Sequence, residues 1–359
     1  MSPIRTTTAS ALTAALPDDE RDDDMSTTTP TTGRAALTMQ AIVQPAYGTA
    51  DALRLDEIDR PTIADDEVLV EVHAAGLDRG TWHLMAGKPY LVRLTGLRAP
   101  KNLVAGLDVA GRVAAVGADV TRFEVGDEVF GISRGSFAEY ARAREDKLAH
   151  KPANLTFEQA AVVAISGLTA LQSLSDVGRV QAGQHVLIIG ASGGVGTFAV
   201  QIAKAYAAHV TAVCSTAKID LVRSIGADHV IDYTREDFAD GRERYDLIID
   251  IAGNASLSRL RRALTPRGTL VIVGGEDRGR WTGGMDRQLR ALALSPFVRQ
   301  RLTMKVPKEH HADLERLAAL TNAGDLTPVI DSTYPLRQAP DAMRHLQAGH
   351  ARGKIAISI

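Results

Sequence analysis

Hydrophobic and polar positions follow two different patterns along the chain. After Met39 the apolar residues come in short β-like runs, Gln40–Gln44, Val68–His73, Val109–Val116 and Glu128–Phe130, punctuated by Gly76, Gly106, Gly111, Gly117 and Gly126. Short strands broken this closely by glycine predict a small, barrel-like β domain. After Pro152-Ala153-Asn154 the pattern turns helical. Thr156, followed by Glu158 and Gln159, opens an apolar stretch with Ala and Leu at helical spacing, which predicts one helix running to about Leu174. From there strands and helices alternate. The strands are expected at His185–Ile189, His209–Cys214, His229–Asp232, Leu247–Ile251 and Thr269–Val273, and the helices at Gly194–Ala207, Lys218–Ile225 and Ser256–Leu264. That alternation predicts a parallel, doubly wound sheet. The chain closes with helices over Glu309–Ala323 and Ala339–Ala348 and a last strand over Lys354–Ile359. The fold class expected is α/β.

Composition narrows the function. A length of 359 residues suggests two domains, and 45% apolar residues supply ample core. With 41 Lys+Arg against 43 Asp+Glu the formal charge is -2, which offers no excess field for nucleic acid or anionic lipid. The single cysteine, Cys214, can form no internal disulfide and cannot alone build a structural zinc site; a reducing, cytoplasmic setting fits best. The apolar-rich runs Ala160–Leu174 and Val186–Ile189 are too broken or too short for the roughly 20 residues of a bilayer crossing, so no membrane partner is expected. Residues 1–38 are Thr/Ser/Ala-rich, with an acidic run from Asp18 to Asp24, and read as a disordered tail. They lack the apolar core of a secretory signal and are too acidic for a transit peptide, while Met25 and Met39 allow a start downstream of Met1.

The most informative segment is Val186-Leu187-Ile188-Ile189-Gly190-Ala191-Ser192-Gly193-Gly194-Val195-Gly196, a buried strand running through a glycine turn into a helix. It reads A-x-G-x-x-G, with Ala191 in the first glycine's place. Gly193 lets the backbone approach a pyrophosphate, Gly196 lets the helix pack on the strand, and the helix N-terminus offers free N–H groups to the anion. An ordinary strand–helix turn can carry the same glycines, but the β-α-β setting favours a dinucleotide.

The next strand ends about 20 residues on, where an NAD enzyme carries an acid for the ribose 2′-hydroxyl. Here stands Ser215, with Thr216 and Lys218 able to donate to a 2′-phosphate and no carboxylate to repel it, so NADPH is the expected cofactor. The plain alternative is that Lys218 is a solvated residue on a helix's first turn.

Gly183-Gln184, Leu187, Ala191-Ser192-Gly193-Gly194, Gly196, Gln201 and Lys204 together resemble the signature of the zeta-crystallin-like quinone oxidoreductases, in the medium-chain dehydrogenase/reductase superfamily. The likeness extends over Met39–Ile359. Gly106-Leu107-Asp108-Val109-Ala110-Gly111, Val116-Gly117 and Gly126-Asp127-Glu128-Val129 resemble that superfamily's GroES-like domain, while Gly226-Ala227-Asp228 and Thr269–Gly275 resemble later landmarks of its Rossmann domain. The resemblance implies a GroES-like β-barrel catalytic domain from residues 39–155 and 300–359, and a doubly wound Rossmann domain from 156–299 that binds NADP(H). It also implies an active site between the two, a homodimer joined through the edge of the cofactor sheet with Leu292-Ala293-Leu294 as an apolar edge, Tyr233 near the 2′-phosphate, and Ile251 to Gly253 with Val273-Gly274 beside the nicotinamide. Each of these positions has a plain reading as a turn or core residue.

Against the zinc alcohol dehydrogenases of the same superfamily, Leu107 stands where their G-H-E motif has a ligand histidine, Asp78 where they have the first ligand cysteine, and Ala164–Ser166 has no third. No metal is expected, and the scattered His73, His83 and His150 do not restore a ligand set. The loop Asp78-Arg79-Gly80-Thr81-Trp82-His83, with Tyr90 beyond it, resembles the family's N-x-x-D-x-Y loop with three replacements: Asp78 for asparagine, Thr81 for aspartate and His83 for tyrosine. It still offers an acid/base in His83, a carboxylate in Asp78, hydroxyls in Thr81 and Tyr90 and an aromatic wall in Trp82. The plain reading is that Asp78 caps a short helix while Trp82 and Leu84 are core. The resemblance implies hydride transfer from NADPH to a quinone, an α,β-unsaturated carbonyl or an aldehyde. Two alternatives remain open, an NADP-dependent alcohol dehydrogenase and a low-turnover nucleotide-binding regulatory protein.

Overall fold

Two sheets organise the residues described by a computed structural model of the protein, 37–275, 285–305 and 308–359. The tail expected over residues 1–38 falls, up to residue 36, outside the described residues. In chain order the strands are β1 (Thr38–Val43), β2 (Arg54–Asp59), β3 (Glu67–Leu77), β4 (Asp108–Val116), β5 (Glu128–Ile132), β6 (Tyr140–Arg144), β7 (Leu148–His150), β8 (His185–Ile189), β9 (His209–Cys214), β10 (His229–Asp232), β11 (Tyr245–Asp250), β12 (Leu264–Ile272), β13 (Arg301–Met304), β14 (Ile330–Pro335) and β15 (Lys354–Ser358). The helices are α1 (Arg79–Ala86), α2 (Phe157–Ala161), α3 (Ala164–Gln172), α4 (Gly194–Ala205), α5 (Ile219–Ser224), α6 (Leu257–Ala263), α7 (Met285–Leu294), α8 (His311–Asn322) and α9 (Ala339–Ala348).

The first sheet runs β14-β15-β3-β4-β5-β7, with β6 also paired to β3, and the β1–β2 ribbon is tied to it by single bridges from Ala41 to Ala138 and from Val43 to Val104. Val68, Val70, Ala74, Ala75 and Leu77 of β3 are all fully or almost fully buried, as befits its central place. This is the GroES-like part. The second sheet is parallel throughout, in the order β10-β9-β8-β11-β12-β13. Counted from β8 the order is 3-2-1-4-5-6, that of a dinucleotide-binding Rossmann sheet, in which ligands sit beyond the carboxyl ends of the strands where the order reverses.

One core joins the two. Ala74, Ala110, Phe130 and Ile132 of the first sheet share a buried cluster with Leu168 and Leu171 of α3, Val186 and Ile188 of β8 and Phe198 of α4. Full burial of each large side chain contributes about 1.5–3 kcal/mol, so α3 stabilises both sheets at once.

Three sequence expectations change. The single helix over Thr156–Leu174 is two, α2 and α3, separated by Val162 and Val163, and it ends in a wide turn over Ser173–Gly178. The break leaves the backbone N–H of Ile165 to donate to the Asp108 carboxylate at 2.9 Å. Leu292-Ala293-Leu294 is the end of α7 and not a strand, because Leu289 and Leu292 recur at helical spacing; the outer strand of the cofactor sheet is β13. That strand also falls past residue 299, so Arg301–Met304 belongs to the parallel sheet although the sequence boundary assigned it to the catalytic part.

Candidate active site

The glycine turn sits at the carboxyl end of β8. Gly190 has φ +89°, and the N–H groups of Gly190 and Ala191 both donate to Val213 O on β9, which bends the chain sharply out of the strand. A side chain at Gly196 would stand 2.2 Å from Gly190 O and 2.6 Å from the carbonyl carbon of Ala191, so glycine there is demanded by packing. Gly193 is different. Its φ is an ordinary -88° and a Cβ would meet only Gly190 O, at 3.6 Å, leaving open space above the turn. Thr197 N is the first N–H of α4 to find a partner inside the turn, Gly193 O at 3.0 Å, so the first-turn N–H groups of Gly194, Val195 and Gly196 point out of the helix end. Three donors, a helix N-terminus and a glycine with room above it fit a pyrophosphate.

The other predicted nucleotide residues lie along the same edge. Ser215 follows β9, half-buried, with Thr216 and Lys218 in the short turn behind it. Lys218 is not simply solvated: its Nζ donates to Ala351 O at 2.8 Å, and partial burial holds its ammonium below the usual lysine range. The Thr216 hydroxyl donates to Asp232 at the end of β10, whose other oxygen accepts from the N–H and hydroxyl of Thr234. Those bonds hold the Asp232 carboxyl below its ordinary value and turn it into the protein. Tyr233 is exposed, and its N–H donates to Cys214 O, so its backbone lies beside the end of β9.

Ile251 and Gly253 leave β11, and Val273 and Gly274 leave β12, at the same edge. The two loops cross so closely that a Cβ at Gly274 would lie 1.8 Å from Ile251 O, and one at Gly253 would lie 2.3 Å from Gly275 Cα. Sequence reading missed what ties them together. Arg287 of α7, buried, pairs with the fully buried Asp250 at 2.6 Å and donates also to Ala255 O at 2.8 Å and Gly274 O at 3.0 Å. Burial raises the Asp250 carboxyl and the guanidinium opposes it.

The loop predicted to carry catalysis is a short helix. Asp78 is its N-cap, Oδ1 accepting from Thr81 N at 2.8 Å, while its Oδ2 is buried with no hydrogen-bond partner. The plain reading of Asp78 therefore holds, and Thr81 follows it inward: buried, its hydroxyl faces no cleft. Trp82 packs against the core, but Leu84 is exposed and is not core. His83 Nδ1 lies 2.6 Å from Lys88 O, which fixes the ring. Tyr90 is half-buried under the Arg93 guanidinium, 5.0 Å from its ring centre.

Between this loop and the glycine turn lies a buried set that sequence reading did not single out. Lys354 Nζ is 3.0 Å from Ser166 Oγ and 3.4 Å from Asp108 Oδ2, with all three residues buried. Burial pushes the Asp108 carboxyl up to about 7, with Lys354 opposing the rise and Asp78 adding to it. Asp108 was visible only as part of the Gly106–Gly111 landmark, and Lys354, 246 residues away in sequence, carries no local signal that it is buried.

Residues 64–153 match a family model described as alcohol dehydrogenase GroES-like domain, and residues 225–357 one described as zinc-binding dehydrogenase. The chain is 33% identical to NAD(P)H oxidoreductase RTN4IP1, mitochondrial, of Mus musculus, covering 92% of this chain and 91% of the relative. It is 31% identical to 2-methylene-furan-3-one reductase of Solanum lycopersicum, over 89% and 79%. The quinone oxidoreductase from Coxiella burnetii superposes with a TM-score of 0.81 at 27% identity, over 90% of this chain and 100% of that one. Mycobacterial Rv1454c complexed with NADPH does so with 0.77 at 26%, over 89% and 100%. The chain belongs to the quinone oxidoreductase-like medium-chain dehydrogenase/reductases. As a member of this family it is an oxidoreductase of the nicotinamide-dependent kind.

The family's name for its second model mentions zinc, and the residues here bear on that directly. Leu107 offers no ligand atom, and no group of three or more His, Cys, Asp or Glu side chains able to hold a metal occurs among the described residues. His73 stacks on Phe157 at 4.2 Å and His150 lies 5.1 Å from Phe123, so these two imidazoles are packing groups in this family member. No helix among the described residues is long and apolar enough to cross a membrane.

Proposed function

We propose that the protein is an NADPH-dependent reductase that passes hydride, without a metal, to a conjugated acceptor: a quinone, an α,β-unsaturated carbonyl or a reactive aldehyde. The observation that carries the cofactor choice is the end of β9, where Asp232 is held by Thr216 and Thr234 and Asp331, the acid that acts on the Lys218 ammonium, is itself paired with His345 at 3.2 Å, which leaves Ser215 and Lys218 to a 2′-phosphate. The NADPH complex of a structural neighbour and the reductase name of a plant relative support the same reading.

A bound nicotinamide nucleotide supplies the hydride. The chain's own groups do the rest. The first-turn N–H groups of Gly194 to Gly196 receive the pyrophosphate, and Lys218 exchanges the Ala351 carbonyl for the 2′-phosphate. The crossed loops at Ile251–Gly253 and Val273–Gly274 set the nicotinamide's depth. Tyr90 polarises the acceptor oxygen, with His83, whose Nδ1 meets Lys88 O and whose Nε2 is buried, standing behind it, and conjugated acceptors require little more.

The test is a steady-state panel of quinones and enones with NADPH and with NADH. Each charge-assisted bond to the 2′-phosphate contributes about 1.5–3 kcal/mol, so a preference of roughly 10- to 100-fold for NADPH is expected, and Ser215→Asp should reverse it. Equal use of both cofactors by the unaltered protein refutes the cofactor choice. Turnover confined to alcohols and NADP, abolished in His83→Ala, refutes the reaction.

The same reading includes a homodimer paired along β13, where Leu289 and Leu292 of α7 and Phe297 are exposed beside the outer strand. Light scattering that returns a monomer mass at micromolar concentration refutes it. The reading takes a reducing, cytoplasmic setting, because the single cysteine, Cys214, is buried and can form no internal disulfide.

A further inference from the structure

We propose that Lys354 is a positioning residue: clamped between Asp108 of the catalytic sheet and Ser166 of α3, it fixes the head of α4 at the geometry on which nucleotide binding depends. The inference rests on reading that helix head as the pyrophosphate site.

Three contacts converge there. The aliphatic stem of Lys354 lies against Gly194, the first residue of α4, so closely that a Cβ on Gly194 would meet Lys354 Cδ at 3.0 Å and Ser166 Oγ at 3.4 Å. The residue before it, Gly353, donates its N–H to Ser192 O at 2.9 Å and bridges to Gly193, so the entry to β15 is stapled to the glycine turn itself. The Asp108 carboxylate has two tasks, since Oδ1 accepts from the first turn of α3 at Ile165 N and Oδ2 holds Lys354. A single buried ion pair therefore registers the catalytic sheet, α3 and the head of α4 against one another.

Stability alone does not explain such a pair. Removing two charges from water costs more than their attraction usually returns, and apolar side chains of similar size commonly do as well. Geometry is what the pair supplies and apolar packing does not. The N–H groups that receive a pyrophosphate must be held to within about half an ångström, and a lysine locked at both its stem and its ammonium holds Gly194 in that way. The pair is withdrawn from water, with Asp108 fully buried and Lys354 2% exposed.

The experiment uses the full chain and compares Lys354→Met, Asp108→Leu and the double variant Asp108→Leu/Lys354→Met, reading Tm and the Kd for NADPH. Each single variant leaves one buried charge unpaired, and its Tm should fall by roughly 5–15 °C. The double variant should recover most of that Tm and yet bind NADPH at least tenfold more weakly than the unaltered protein. A double variant that recovers both Tm and Kd shows a pair that is only structural and overturns the inference. Ser166→Ala supplies a second arm that strands no charge. It should weaken NADPH binding roughly three- to tenfold, the equivalent of one hydrogen bond, with a smaller fall in Tm than either charge variant, and an unchanged Kd overturns the inference even if the double variant does not fold. Failure of the unaltered protein to bind any nicotinamide nucleotide would instead refute the reading of the site on which the inference stands, and the inference with it.

Discussion

The two regions proposed to receive nucleotide and acceptor are built from different materials. On the nucleotide side the geometry is made by backbone: carbonyls at Gly190 and Ile251 occupy the places where side chains of Gly196 and Gly274 would be, and the donors aimed outward are main-chain N–H groups. On the side proposed for catalysis it is made by side chains: a capping carboxylate at Asp78, an imidazole at His83 held against the Lys88 carbonyl, a phenol at Tyr90 under an arginine. At Gly196 and Gly274 a backbone site has one solution, because any added atom collides with main chain. A side-chain site has many solutions, since a donor can be exchanged for another of similar reach. The difference teaches where chemistry can vary within one fold and where it cannot, and it can be attacked from both sides.

The largest effect should come from the glycines, and they should not behave alike. Gly196→Val must drive a side chain into Gly190 O and Ala191, so both Tm and nucleotide binding should collapse. Gly193→Val meets open space at an ordinary φ and should keep its Tm within a few degrees while binding falls by at least a hundredfold, because the side chain stands where the pyrophosphate goes. Thermal melts with NADPH fluorescence titrations separate the two. Equal loss of Tm in both variants would show that the open space over Gly193 is needed by the fold and not kept for a ligand.

Next in size is the tie between the crossed loops. Arg287→Met leaves Asp250 a carboxylate with no exposure and no cation, which should cost about 3–5 kcal/mol of stability, whereas Asp250→Leu combined with Arg287→Met should recover much of it. Denaturant melts give the numbers directly. A cost below about 1 kcal/mol for the single variant would mean that backbone and glycines alone hold the crossing, which sharpens the contrast, whereas the full cost shows that one buried side-chain pair shares in building the nucleotide side.

The same contrast explains what could be read in the sequence. Glycines forced by backbone leave a mark on the chain, so the turn at Gly190–Gly196 was legible in the residues themselves, while Ile251–Gly253 and Val273–Gly274 were singled out only through the family resemblance; strand–helix alternation led to the strands β8, β9 and β10 residue for residue. Side-chain pairs leave none. Asp250 with Arg287, and Asp108 with Lys354, are partners 37 and 246 residues apart, and nothing in their local sequence says that a charged residue is buried. The catalytic loop fell between these cases: a single Asp before a short helix reads equally as acid and as cap, and only the bond from Thr81 N decides for the cap. Leu292-Ala293-Leu294 was misread because three alternating small and large apolar residues fit a strand as well as the last turn of an amphipathic helix, and only Leu289 before them distinguishes the two.

The smallest effect belongs to that cap, and it bears on the side proposed for catalysis alone. Asp78 accepts from Thr81 N through Oδ1, and Oδ2 is buried without a partner. If capping is its task, asparagine should serve nearly as well, since Asn and Asp are comparable N-caps. Asp78→Ala should lose about 1 kcal/mol, and Asp78→Asn less than about 0.5 kcal/mol, with quinone or enone reduction following stability in both. If instead the negative charge beside Asp108 matters to the reaction, Asp78→Asn should keep its stability and still slow turnover. Asparagine and alanine thus part company on opposite axes, one in melts and the other in rates. A fully stable Asp78→Asn protein with kcat reduced tenfold or more would move Asp78 from the helix cap to the chemistry, and would show that the side proposed for catalysis holds at least one position as exacting as the glycines of the nucleotide side.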